Sequence, residues 1–213
     1  MKYGESAFIV AYLITAAVLG VLILRKAKTK AAKLMGISAL VLCSGDAFHL
    51  VPRVIAHFSE SDLSLYLGLG KLVTSLTMTV FYLLVYYVYV YYYKKNENKR
   101  LALCLWALVI IRAVLCAFPQ NGWTVNSTDA TWGIIRNIPF VILGAIVAYL
   151  YFKERKSSRA FRFIWLYICL SFAFYIPVAV FAGMLPVLGM LMIPKTVCYV
   201  LILFAFYKEA DKT

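Results

Sequence analysis

The sequence predicts an all-α integral membrane protein of seven transmembrane helices, on three observations. The 213 residues are 64% hydrophobic and only 15% charged, with mean hydropathy +0.84. A soluble domain of this size does not have that composition, and long uncharged apolar runs at this density are membrane spans. Seven such runs are long enough to cross hydrocarbon, which takes about 20 helical residues. Between them the basic residues alternate: every second loop is strongly cationic and the others are neutral or acidic. The formal charge of +13 therefore reads as topology anchoring, and no nucleic-acid partner is expected.

The runs fall at 7–24, 34–56, 63–91, 101–118, 131–152, 163–183 and 186–206, and residues 1–213 read as a single domain. The first run lacks a convincing cleavage site and is expected to stay as a helix. The loop after it is Arg25-Lys26-Ala27-Lys28-Thr29-Lys30. The loop after the third is Lys94-Lys95-Asn96-Glu97-Asn98-Lys99-Arg100, and the one after the fifth runs from Lys153 to Arg162. The intervening loops, Ser59-Glu60-Ser61-Asp62 and Gln120 to Asp129, carry no such excess. The positive-inside rule then places the N-terminus outside and the C-terminus in the cytoplasm, with a bacterial cytoplasmic membrane as the expected location. Tyr86 to Tyr93, beside a basic loop, reads as an interfacial aromatic belt facing lipid, and Asn126-Ser127-Thr128 is a short glycosylation-type sequon. None of the five cysteines sits in a loop pattern that suggests a disulfide framework.

A weak internal similarity runs through the chain. Ala47-Phe48-His49-Leu50-Val51-Pro52-Arg53-Val54 resembles Ala173-Phe174-Tyr175-Ile176-Pro177-Val178-Ala179-Val180, and Lys71 and Lys195 occupy comparable places downstream. Spans two and three would then correspond to six and seven, as parallel three-helix halves joined by span four (a 3+1+3 arrangement).

The chemistry concentrates in the second span, at Cys43-Ser44-Gly45-Asp46-Ala47-Phe48-His49-Leu50-Val51-Pro52-Arg53. On a helix Asp46, His49 and Arg53 share one face. Ionisable residues in hydrocarbon are costly and turn toward a bundle interior or a water-filled cavity. Other spans carry charge at a similar depth: Lys71 in the third, Arg112 in the fourth, Arg136 in the fifth and Lys195 in the seventh, with Ser75 and Asn137 nearby. The expectation is one cationic cavity in the outer half of the bundle, where Arg53, Lys71, Arg112, Arg136 and Lys195 face Asp46 as the sole acid. Asp46 is expected to pair with a cation from another helix, Lys71 or Lys195. A phosphate or carboxylate is the natural complement of the surplus, so the expected partner is a membrane lipid or a small anionic ligand. Pro52, Pro139, Pro177 and Pro194 are expected to kink the surrounding helices. Two histidines are too few for a zinc site, and no metal or cofactor is expected. Nothing in the sequence specifies an oligomeric state.

These residues resemble the YhhN family, whose characterised animal members are lysoplasmalogenases. That family carries a Gly-Asp pair in an apolar span followed within a few residues by Pro, as Gly45-Asp46 and Pro52 do here. Its next span often opens on an apolar Leu/Gly run of the sort seen at Leu67-Gly68-Leu69-Gly70. A later span of the family holds a second acid in a Ser-Asp pair, where this chain has Ser171-Phe172. The resemblance implies an intramembrane hydrolase of lysophospholipid- or lysoplasmalogen-type lipids. Asp46 would orient or activate water, and His49, one turn away, would stand in for the second acid. The alternative from a different class is a transporter or receptor for a small anionic solute, in which the same cations bind and nothing is hydrolysed.

Overall fold

A computed structural model describes residues 2–125, 130–181 and 186–211. The chain is 86% helix with no strand among the described residues. Seven helices are long and apolar enough to cross a membrane: α1 (Lys2–Lys26), α2 (Lys30–Phe58), α3 (Ser64–Tyr92), α4 (Lys99–Ala117), α5 (Ala130–Lys153), α6 (Ile164–Phe181) and α7 (Met192–Ala210). Three short 3-10 segments, Pro119–Asn121, Phe161–Phe163 and Pro186–Leu191, lead into or out of them. The sequon at 126–128 lies outside the described residues.

Local signals fix the helix ends. The Thr29 hydroxyl accepts from the Ala32 N–H at 3.3 Å, and the Asn98 side chain accepts from the Arg100 and Leu101 N–H groups at 3.1 and 3.3 Å. Both satisfy first-turn donors that have no partner within the helix. Gly122 adopts φ 61 just after the 3-10 turn that follows α4, a conformation open to glycine at little cost. Pro194 sits in the first turn of α7, where a missing N–H costs nothing, so α7 starts at Met192 with no proline kink inside it. Pro52, Pro139 and Pro177 lie inside α2, α5 and α6.

Consecutive helices pack side by side, and α7 returns to pack on α1 and α2, closing a ring. Helix α3 is the most enclosed. It packs on α2, α4 and α5, and its side chains cross to the far wall. Tyr82 shares a hydrogen bond with Ser171 of α6 at 3.0 Å, and its ring meets Phe140 of α5 edge-on at 5.4 Å. Phe81 meets Tyr199 of α7 at 5.9 Å. Between helices in lipid there is little hydrophobic drive, and an interhelical hydrogen bond contributes about 0.6 kcal/mol on average. Dense aromatic packing along α3 therefore carries more of the cohesion than its polar bonds do.

The tyrosines at the end of α3 differ from the sequence expectation. Tyr86 and Tyr89 are buried, and Tyr89, Tyr92, Tyr93, Tyr151, Phe161 and Phe206 form an internal aromatic cluster at the end of the bundle that carries the basic loops. The Tyr151 hydroxyl donates to the Val85 carbonyl at 3.1 Å and Tyr92 donates to Glu209 at 2.9 Å. These rings fill the bundle and do not form a belt against lipid. The outward surface mixes aliphatic side chains such as Leu103, Ile110 and Ile14 with rings from other helices, Trp106, Tyr149 and Phe163 among them.

Candidate functional site

Helix α2 presents its polar face because α3 clamps it from behind. Pro52 has no N–H to give the Phe48 carbonyl one turn back. Gly70 of α3 lies against that carbonyl: a Cβ there would collide with the Phe48 oxygen and lie 2.7 Å from the His49 Cα. The Thr74 hydroxyl, one turn further along α3, donates to the Gly45 carbonyl at 2.8 Å. Small residues that let backbones touch are a usual means of helix association in lipid. With α3 pressed onto its backbone, α2 turns Asp46, His49 and Arg53 toward α1 and α7.

There they line a cavity of about 470 Å³ between α1, α2 and α7, with Thr74 of α3 at its edge. Phe8, Ile9, Leu50, Met190, Met192 and Ile193 form its apolar walls. Deep in it, the buried Tyr12 hydroxyl donates to Asp46 Oδ2 at 2.6 Å. Lys195 is the cation whose charge bears on Asp46, and its Nζ stands over the rings of Tyr175 and Tyr199, 4.5 and 5.5 Å from their centres. No cationic nitrogen comes within 4.0 Å of the Asp46 carboxylate among the described residues. His49 also lines the cavity, and its buried Nδ1 has no hydrogen-bond partner. Towards the end opposite the basic loops, Arg53 Nε binds Glu5 Oε1 at 2.6 Å, and His57 approaches the other Glu5 oxygen at 3.9 Å while sharing a hydrogen bond with Ser6 at 3.2 Å.

A second polar group lies beyond Tyr175. The Tyr175 hydroxyl donates to Asn137 Oδ1 at 2.8 Å, and Arg112 Nη2 donates to the same oxygen at 3.2 Å. The Arg112 guanidinium rests 3.7 Å above the Phe140 ring. Arg136 donates from Nη1 to Asn121 Oδ1 at 2.7 Å and stacks over Trp123 at 4.3 Å. Tyr12, Asp46, Lys195, Tyr175, Asn137 and Arg112 thus form a polar chain contributed by six different helices.

The cations expected in one cavity are divided by the structure. Arg53 and Lys195 line the cavity with Asp46 and His49, whereas Lys71, Ser75, Arg112, Arg136 and Asn137 do not. Ser75 turns back to its own helix and donates to the Lys71 carbonyl at 2.7 Å. Asp46 is not the sole acid, because Glu5 reaches the same cavity and neutralises Arg53. The direct partner of Asp46 is a phenol from α1, in place of the Lys71 or Lys195 ammonium expected from depth alone. Sequence reasoning missed both Glu5 and Tyr12. Their spacing of seven residues puts them on one face of α1, a signal that was available. Among the described residues no three His, Cys, Asp or Glu side chains converge as a metal site would need.

The cavity joins an acid, an imidazole, a phenol and an ammonium to an apolar wall. No protein-family model, no curated protein and no solved structure matches this chain.

Proposed function

We propose that this is a multipass membrane protein that binds a single-chain phospholipid in the α1–α2–α7 cavity and hydrolyses it, in the manner the distant resemblance to the YhhN family implies. The observation that carries the reading is one cavity of about 470 Å³ with Asp46, His49, Tyr12 and Lys195 at its polar end and aliphatic and aromatic walls beyond. In this reading Lys195 holds the headgroup phosphate. Asp46 takes a proton from water as the water oxygen attacks the linkage, and that proton passes by way of His49 to the departing oxygen as its bond breaks. Tyr12 fixes the Asp46 carboxylate for that task through its 2.6 Å hydrogen bond. The test is product release from lysophosphatidylcholine and its vinyl-ether analogue by the purified protein. Wild type should turn over one of them, and Asp46→Asn should lose at least tenfold in rate while still binding. Saturable binding without any turnover by the wild type would overturn hydrolysis.

That outcome would leave the second reading, a carrier or receptor for a small anionic solute. It is favoured by one observation: each acid of the cavity is already engaged, Glu5 by Arg53 and Asp46 by Tyr12. In both readings we place the N-terminus outside and the C-terminus in the cytoplasm of a bacterial cytoplasmic membrane, from the alternation of basic loops. The weak repeat relating spans two and three to six and seven is retained as part of this proposal. Pro52 and Pro177 lie inside α2 and α6, one position out of register under it.

A further inference from the structure

Outside the cavity, Lys71, Arg112 and Arg136 form a cationic cluster that makes no ion pair with an acid among the described residues. We propose that it is a second, separate binding site, which takes a phosphate-class oxyanion between α3, α4 and α5. Arg112 is 1% exposed, yet its Nε and Nη1 have no hydrogen-bond partner, and neither has the buried Nε of Arg136. Three of the five buried side-chain atoms left without partners among the described residues therefore belong to these two guanidinium groups. The groups sit close enough to feel one another's charge, and Lys71 in turn feels Arg136. Three carboxylates that pair with cations do so elsewhere: Glu5 with Arg53, Glu154 with Lys95 and Asp211 with Lys26.

An arginine cannot shed its proton to relieve this arrangement. The faces of Phe140 and Trp123 beneath the two guanidiniums offset part of the charge, but they accept nothing from the in-plane N–H donors. A tetrahedral oxyanion does accept from such donors, and lysine adds a compact charge beside them. Lys71 and Arg136 are only partly buried, so the ligand reaches the cluster from their side, with Arg112 innermost. The oxyanion is either free phosphate or the phosphate of a lipid headgroup.

Thermal unfolding of protein purified in nonionic detergent without phosphate tests the proposal. It is run in the Lys195→Gln background, so that the cavity cation other than the Glu5-paired Arg53 does not contribute. The ligands are inorganic phosphate, lysophosphatidic acid and, as a neutral control, monoacylglycerol, with ionic strength held constant with gluconate. A saturable rise in melting temperature with inorganic phosphate supports a free oxyanion site, and a rise with lysophosphatidic acid alone supports a lipid headgroup. In either case the rise should vanish in Lys195→Gln/Arg136→Gln and in Lys195→Gln/Lys71→Gln, which alter partly exposed residues and are expected to fold. No rise beyond the monoacylglycerol control, or a rise that survives both double variants, overturns the proposal.

Discussion

Tyr12 holds Asp46 where the rest of the cavity can use it, so its loss should be felt in both stability and activity. A hydrogen bond to a charged group contributes about 1.5–3 kcal/mol in water-soluble proteins, whereas interhelical bonds in lipid reach about 1.7 kcal/mol at most. The 2.6 Å bond from a buried phenol belongs near the upper membrane figure. Tyr12→Phe should therefore destabilise by about 1–2 kcal/mol in reversible unfolding in detergent, and the loss should shrink when Asp46→Asn is already present. Equal losses in both backgrounds would mean that the phenol acts by packing alone. At this scale the sequence was legible at Asp46, His49, Arg53 and Lys195, charges inside apolar runs that line one cavity, whereas Lys71, Arg112 and Arg136, read the same way, do not line it. It was silent where chemistry depends on which helix meets which. Glu5 sits before an apolar run and looks solvated, and Tyr12 inside that run looks like packing. Only the return of α7 onto α1 and α2 gives these two residues a site.

Among the elements, the α2–α3 pair is the tightest contact, and Gly70 is its pivot. A methyl group there must displace the Phe48 carbonyl and the His49 Cα, which are backbone atoms and cannot rotate away. Overpacking of this kind costs about 1–3 kcal/mol. At Gly4, by contrast, nothing lies within 4 Å, and alanine gains up to about 1 kcal/mol of helix propensity. Gly70→Ala should thus lower the melting temperature and weaken ligand binding at the cavity, while Gly4→Ala leaves both unchanged or raises stability. Similar behaviour of the two variants would show that α2 and α3 separate freely. The helices themselves were legible from hydropathy, with ends within a few residues except at α1, which begins earlier, and at α7, which begins later behind the Pro186–Leu191 3-10 segment. The inward turn of the tyrosines was not read, although Tyr82, Tyr86, Tyr89 and Tyr93 recur at helical spacing and form one stripe. Proximity to basic residues suggested an interface, but close packing of the interior at that end is achieved with large rings.

On the scale of the whole molecule, one end gathers the basic loops and fastens them. Lys26 binds Asp211 at 2.7 Å and Lys95 binds Glu154 at 2.8 Å. The Lys95 ammonium holds the Glu154 carboxyl below its ordinary range, and Glu154 raises Lys95 in return. The Glu154 contribution is thus present above its unfolded-state pKa and fades as pH falls through the folded value. The Lys95 contribution is present below its unfolded-state pKa and fades as pH rises through the folded one. Between them lies a broad plateau around neutrality, of small size because the pair is solvated. Orientation is tested at the two ends, in a variant whose five cysteines are replaced. An impermeant thiol reagent applied to intact cells should label Glu60→Cys and spare Lys156→Cys, both exposed. The reverse pattern would invert the proposed topology and put the cavity mouth in the cytoplasm.

The closure of the ring by α7 on α1 and α2 also sets a time at which the cavity can exist. A ribosome delivers the helices in chain order, and α2 and α3, joined by a short loop, can settle against each other while the rest is still being made. The wall that carries Lys195 arrives last. Until then Asp46 and His49 stand on a bundle that lacks this wall, with Tyr12 of α1 already made and able to donate to the carboxylate. Under the proposed function, a nascent chain would therefore lack a complete cavity, and competence would begin with the final helix.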